Sequence, residues 1–158
     1  MKIFRISCAI LALFAQLTVF AACSQKMTGE DRVKEAVKRA VAAAEAKDVS
    51  GFMKFISKGY SDEQRNDYET IKGIVFYHLM KKGGVSVFVR SLSAEVKGTD
   101  AIVEARAVLV RTQGIKDIKN VLPDEAEAYR FNIVMKKEQD VWKAVNAGWA
   151  PVGVAGLL

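Results

Sequence analysis

Proton transfer is the chemistry for which this sequence offers the most suitable side chains. A general base must present an acceptor within hydrogen-bond reach of its substrate, and His78 is the only histidine. Asp62 and Asp67 flank one predicted loop and could form a carboxylate pair. Tyrosine hydroxyls could donate to an oxyanion, and the candidates are Tyr60, Tyr68 and Tyr77. These residues define the acid–base interpretation of the sequence.

Each of these side chains also has a structural explanation, which the sequence favours. His78 lies in helical register with Ile71 and Ile74, so it fits the surface or the packing of a helix. Asp62 and Asp67 are typical of turn and helix-start residues whose carboxylates accept backbone amides. Tyrosines at these spacings are typical of a core with hydroxyls at the surface.

Two further sets of residues could line a site. Glu104 and Arg106 share one face of a predicted strand. If that face pointed inward, the two side chains would form a buried ion pair and mark a polar pocket. The sequence favours the outward orientation of this face. Trp142 and Trp149 are expected mainly in the core or at the rim of a pocket. A role in stacking against a ligand is the less favoured interpretation. The sequence has no nucleotide-binding loop and no zinc, cysteine-pair or calcium motif, so we expect no cofactor and no metal.

Three helices are predicted before any strand. Thr28, with a carboxylate three residues later, starts a helix that runs to about Lys47. Asp48 starts a short helix that includes Phe52, Met53, Phe55 and Ile56 and stops before Gly59. Asn66 opens a third helix, which ends in residues 81–84. Its apolar stripe consists of Tyr68, Ile71, Val75 and Leu79.

A four-stranded antiparallel meander is predicted after the helices. The predicted strands cover residues 85–96, 101–111, 129–135 and 141–149. The first has a phase slip that indicates a bulge, and the last two form a hairpin across the charged link 136–140. The order of elements predicts an α+β fold in which the helices pack on one face of the sheet.

The N-terminus is typical of an export signal. Lys2 and Arg5 precede the uncharged apolar run 6–22, which is the layout of a signal peptide. An uncleaved transmembrane helix is the alternative, since the run approaches the length that spans a bilayer. Without Lys2 and Arg5, 22 basic residues face 18 acidic ones, so the mature charge is about +4 with interspersed signs. Nucleic-acid binding is therefore not expected.

The end of this run, Phe20-Ala21-Ala22-Cys23, resembles the lipobox of bacterial lipoproteins, with Phe20 in the place of the usual leucine. The resemblance implies that residues 1–22 are removed and that Cys23 becomes a lipidated, palmitate-bearing first residue. Ser24 differs from the aspartate that retains such proteins at the inner membrane. It therefore favours the inner leaflet of the outer membrane, facing the periplasm. Residues 23–28 comprise the lipidated cysteine and a short tether, in which Ser24–Met27 would keep the domain within roughly 15 Å of the lipid.

The ordering of several segments in residues 29–150 resembles the nuclear transport factor 2-like (SnoaL-like) superfamily. The segments are Ala44–Asp48, Phe52–Ser57, Tyr60–Asp62 and Trp142–Trp149. The resemblance implies a strongly curved sheet around the helices, forming a cone with a pocket, followed by a tail in residues 151–158. Enzymes of this superfamily use pocket Asp, His or Tyr residues. The residues expected to line the pocket here are Tyr60, Tyr68, Tyr77, His78 and Trp142.

Three functions are compatible with this sequence. The leading hypothesis is a non-enzymatic, lipid-anchored envelope protein that holds a small apolar ligand or docks an envelope protein. The second is an isomerase, dehydratase or cyclase that acts on a small hydrophobic molecule by proton transfer through His78, Asp62 or a pocket tyrosine. The third is a structural homodimer formed through an open sheet face. No residue is assigned as catalytic.

Overall fold

The structure, a computed structural model, describes residues 27–80, 84–112, 114–116 and 126–153. Its helices are α1 (Gly29–Glu45), α2 (Val49–Met53) and α3 (Tyr68–Met80). Its strands are β1 (Ser86–Lys97), β2 (Asp100–Val110), β3 (Ala126–Glu138) and β4 (Val141–Val152). The strands form one antiparallel sheet in the order β1-β2-β3-β4, which confirms the predicted α+β meander.

The predicted export signal and Cys23 lie outside the described residues. None of the helices within the described residues is both long enough and apolar enough to cross a membrane.

The starts of α1 and α2 follow the predicted capping pattern. The Thr28 hydroxyl accepts the backbone N–H of Asp31 at 3.1 Å, and the Asp31 carboxylate accepts the Thr28 N–H in return. The Asp48 carboxylate accepts the N–H of Gly51 at 2.7 Å. The helix α2 is shorter than predicted because Phe55 instead accepts a backbone hydrogen bond from Ala144 of β4 at 2.8 Å.

The start of α3 differs from the prediction by one residue. Asp67, rather than Asn66, caps the helix, because its carboxylate accepts the backbone N–H of Thr70 at 2.8 Å. The Asn66 side chain instead donates to Asp62 at 2.9 Å. The predicted apolar stripe of α3 is confirmed, since Ile71 and Leu79 are buried.

The turns and bulges of the sheet set its register. The predicted bulge in β1 is confirmed between Val89 and Ser91, and Gly98, with φ 63°, forms the β1–β2 turn. The predicted five-residue link between β3 and β4 is wrong. Only Gln139 and Asp140 form that turn, with φ 48° and 64°, as a two-residue hairpin loop of type I′ requires.

β4 continues two residues into the segment predicted as a tail. Its register places Pro151 opposite Tyr129 and Val152 opposite Ala128. Proline is tolerated at this position because β4 is an edge strand.

The sheet buries its two faces at different ends. We call the rows through β2 residues 100–103, beside both tight turns, the near end, and the rows through residues 107–110 the far end. The face that α1 covers is the inner face. At the near end the inner face forms the main core, which contains Val33, Ala36, Ala101, Val103, Met135 and Trp142. At the far end the opposite, outer face is buried, in a cluster of Val108, Val110 and Ala128 with Phe88 and Ile115.

Candidate functional site

Three of the five residues expected to line a pocket lie in the core or at its margin. Tyr60 is 4% exposed and Trp142 is 5% exposed, in separate clusters. The indole N–H of Trp142 is buried with no hydrogen-bond partner among the described residues. Tyr68 is half-buried, and the Lys58 ammonium lies 3.5 Å from the centre of its ring.

The other two residues lie on the exposed surface of α3. Tyr77 is 59% exposed, and His78 is also exposed, with its ring 5.3 Å from the ring of Tyr77 in an edge-on arrangement. The structure therefore does not bring the five predicted residues into one cavity.

Asp62 holds a loop in place through hydrogen bonds to its carboxylate. Its carboxylate accepts the backbone and side-chain N–H groups of Asn66, each at 2.9 Å, and the Tyr60 hydroxyl at 3.2 Å. Burial alone would raise the pKa of Asp62, but the hydrogen bonds from Asn66 and Tyr60 outweigh it, so the pKa lies below its ordinary value. The interpretation of Asp62 as a turn residue is confirmed.

The Tyr60 hydroxyl is a structural donor in the same network. Burial, followed by the charge of Asp62 and the hydrogen bond to it, raises the pKa of Tyr60 above its ordinary value. The hydroxyl also lies 3.4 Å from the backbone oxygen of Ala147 in β4. The network thus attaches the loop to the edge of the sheet, where Ser61 also donates its N–H to Val145 at 3.0 Å.

An apolar surface lies open on the inner face beyond the main core. Val89 is 37% exposed and Trp149 is 39% exposed. Phe131 lies opposite Trp149 in the register, and the Tyr129 ring is 6.1 Å from the Phe131 ring. Between β1 and these aromatics run two buried small residues of β2, Ala105 and Ala107. We call this set of residues the inner apolar surface.

The helix α3 also presents apolar residues to solvent. The exposed ones are Ile74, Phe76, Tyr77 and Met80. Because Ile71 and Leu79 are buried, α3 carries apolar side chains on its exposed side as well as on its buried side.

Two shallow depressions lie on the outer face in the middle of the sheet. The first has a volume of about 400 Å³ and the second about 330 Å³. They share Arg130 and Asn132 of β3. Glu104 and Arg106 line the first and are exposed, which confirms the outward orientation of their strand face. Within the described residues, no group of three or more His, Cys, Asp or Glu side chains could hold a metal ion.

Solved structures resemble this chain although no family profile and no curated protein matches its sequence. Bd1075 of Bdellovibrio bacteriovorus superposes with a TM-score of 0.62 at 15% identity over 76% of this chain, which spans only 40% of that protein. A nuclear transport factor 2-like protein of unknown function from Pseudomonas putida gives 0.61 at 12% identity, covering 77% of this chain and 84% of that one. A nuclear transport factor 2-like protein from Cytophaga hutchinsonii gives 0.61 at 13% identity, covering 80% and 100%.

The chain has the nuclear transport factor 2-like fold. Since these three proteins are 12–15% identical to this chain, the likeness establishes the fold alone. In this nuclear transport factor 2-like domain, the inner apolar surface is on the side of the sheet where the sequence resemblance placed a pocket.

Sequence reasoning missed most residues of the inner apolar surface and of the outer depressions. Strand alternation by itself places Arg130 and Asn132 on the face opposite Phe131. It did not show that Arg130 lies directly opposite Arg106, because that requires the β2–β3 register. The sequence did contain one signal for this site, since both arginines occupy outward positions of strands that are predicted to be neighbours.

Proposed function

We propose that this protein is a lipid-anchored protein of the bacterial cell envelope whose domain binds a small apolar ligand on its inner apolar surface. The anchor is Cys23, and the location is the inner leaflet of the outer membrane. Binding is favoured over catalysis because the hydroxyl of Tyr60 and the carboxylate of Asp62 are occupied by structural hydrogen bonds.

The observation that carries the ligand-binding proposal is the partial exposure of large apolar side chains on the inner face. Val89 and Trp149 are more than a third exposed, although strand alternation places them on the same face as the core residue Val103. Concave apolar surfaces with aromatic walls are the usual lining of small-molecule sites. A small apolar molecule seated there would remove these side chains from water.

The position of α1 relates this surface to the proposed anchor. A Cβ atom built on Gly29 would lie 3.2 Å from Val96, so α1 begins beside the near end of the sheet. The five residues from Ser24 to Thr28 span about 18 Å at most. An anchored domain would therefore direct its near end towards the lipid and leave the far end of the inner face open to the periplasm.

A neutral fluorescent probe, N-phenyl-1-naphthylamine, tests the ligand-binding proposal. The described core clusters contain only residues from Val33 to Val152, so the chain from Ser24 onward retains them. We expect saturable fluorescence enhancement that Val89→Lys weakens about tenfold, because a charge would have to be desolvated. The matched control is Val134→Lys, since Val134 is 38% exposed on the outer face. Equal binding by both variants, with unchanged circular dichroism, would contradict the proposal.

Native mass spectrometry of the same chain, purified from bacterial periplasm, can identify the natural ligand of the inner apolar surface. A co-purifying small molecule that is lost in Val89→Lys supports the proposal. A ligand-free dimer would instead favour the structural homodimer, for which the exposed neighbours Ile102 and Val134 of the outer face provide apolar contact.

Membrane fractionation of Cys23→Ala tests the anchor, with Cys8→Ala as the matched control. We expect Cys23→Ala to block processing and lipidation, while Cys8→Ala is processed and fractionates like the wild type. A Cys23→Ala protein and a wild-type protein that both remain in membranes at the unprocessed mass would show an uncleaved helical anchor instead.

A further inference from the structure

Two arginines face each other on the outer side of the sheet. Arg106 and Arg130 are directly opposite in the β2–β3 register, and both are exposed. Neither forms an ion pair with any described residue. Like charges directly opposite each other on a sheet are destabilising. The nearby Arg111, in contrast, pairs with Glu127 at 3.0 Å.

The arginine pair belongs to a row of polar side chains across three strands. Ser91 lies opposite Arg106, which lies opposite Arg130. A second, parallel row consists of Ser93, Glu104 and Asn132. All six residues line the depression of about 400 Å³, so the two rows form its polar surface.

Small residues of β4 leave this polar surface accessible from the side that borders β4. Gly148 is opposite Asn132, and Ala150 is opposite Arg130, so both rows end in small residues. A Cβ atom built on Gly148 would have no neighbour within 4 Å in the part of the chain that the structure describes. Both residues line the second depression, which shares Arg130 and Asn132 with the first.

We propose that the two rows form a binding site for an oxyanion-bearing polar ligand, a hydroxylated phosphate or carboxylate. The guanidinium groups of Arg106 and Arg130 share the oxyanion, because their planar N–H donors match the geometry of phosphate and carboxylate. The oxyanion also removes the repulsion between the two arginines.

The second row recognises the uncharged part of this ligand. Residues two apart on a strand are about 7 Å apart, so Glu104 lies within one small ligand's length of the oxyanion on Arg106. The Glu104 carboxylate accepts a hydroxyl of the ligand, and the Asn132 amide donates to another. The ligand is thus a sugar phosphate or a chemically similar group, free in solution or in the headgroup of an anionic lipid.

This site is independent of the proposed apolar ligand and of the anchor. It lies on the outer face, opposite the inner apolar surface, and none of its six polar residues is part of that surface. Loss of probe binding in Val89→Lys therefore says nothing about it, and the two proposals can fail separately.

Titration calorimetry of the chain from Ser24 onward tests the site with inorganic phosphate, glucose 6-phosphate and glucose. We expect millimolar or tighter binding of both phosphates, tighter for glucose 6-phosphate, and none of glucose. Arg106→Gln and Arg130→Gln should each weaken glucose 6-phosphate binding about tenfold or more. Arg111→Gln is the matched control, since it removes an arginine with an acidic partner, and should leave binding unchanged.

Glu104→Gln separates the two rows. This variant should bind inorganic phosphate more tightly, because a repelling carboxylate is removed, and should lose part of the preference for glucose 6-phosphate.

Vesicles of phosphatidylglycerol and of phosphatidylcholine distinguish a lipid headgroup from a ligand that is free in solution. Arginine-dependent binding to the anionic vesicles, tighter than to glucose 6-phosphate, would identify the lipid headgroup. Undetectable binding of both phosphates and of anionic vesicles, or an equal loss in Arg111→Gln, would overturn the proposal.

Discussion

The near end and the far end of the sheet use the same four strands in opposite ways. At the near end, Val103 of the inner face is fully buried under α1 while its neighbour Ile102 on the outer face is 54% exposed. At the far end, Val108 of the outer face is fully buried beside Ile115, while Val89 of the inner face is 37% exposed. The β2–β3 register runs through both ends without a shift. The change is therefore one of covering elements, not of strand phase.

This difference separates stability from binding within one sheet. Each end needs only one buried face to hold the strands together. The face left over is free to contact a ligand, as the inner apolar surface is proposed to do, while the outer polar rows lie between the two ends. Four valines, all changed to alanine, measure this separation directly.

The near end is expected to show the largest effect. Val103→Ala removes two methyl groups from a fully buried site, which should lower the free energy of unfolding by about 2 to 3 kcal/mol, including the cavity left behind. Val134→Ala, at a site 38% exposed on the outer face, should cost less than about 1 kcal/mol. Urea unfolding followed by circular dichroism measures both. Equal costs would mean that both faces are buried at this end.

The far end should show the reverse assignment of faces. Val108→Ala on the outer face should lower the free energy of unfolding by about 2 kcal/mol, because Val108 is fully buried in a smaller cluster. Val89→Ala on the inner face should cost less than about 1 kcal/mol. The same denaturation series checks this pair. A larger cost for Val89 than for Val108 would show that the inner face is covered at both ends.

The sequence predicted the strands well and their coverage only in part. Alternation along β2 places Val103 on the face opposite that of Glu104, because the period of a strand is a local property. It could not show that Val108 and Val110 become buried, since the residues that cover them, such as Ile115, come from outside the strand. The sequence also could not show that Arg106 pairs with Arg130, because turns and bulges can shift the pairing register by a single residue.

The loop that joins α2 to α3 is predicted to respond to acid. Because the pKa of Asp62 is lower in the folded protein than its ordinary value, the unfolded chain binds more protons at acid pH. This contribution is fully present above about pH 5 and is lost as the pH falls through the folded pKa. Asp62→Asn should therefore lower stability at pH 7 and show a smaller loss between pH 6 and pH 3. Tyr60→Phe, which removes one donor, should be intermediate. An unchanged pH profile in Asp62→Asn would contradict this.

A smaller effect is expected where α1 begins over the near end. Thr28→Ala removes the hydroxyl that accepts the Asp31 N–H and should lower the free energy of unfolding by about 1 kcal/mol. Thr28→Ser retains an acceptor and is the control. If the alanine and serine variants unfold at the same urea concentration, the capping interaction does not help to hold α1 against the near end.

The smallest effect concerns the outer polar rows, and its sign matters more than its size. In the free protein Arg106→Gln should raise the free energy of unfolding by a few tenths of a kcal/mol, because it removes repulsion from Arg130. Arg111→Gln should lower it by a similar amount, because the ion pair with Glu127 is lost. Salt should shrink both differences by screening.

A side chain that destabilises the sheet it lies on is explained by a ligand rather than by folding. If Arg106→Gln is instead destabilising, Arg106 helps to hold the strands together. The outer face would then contribute to stability in the middle of the sheet as it does at the far end.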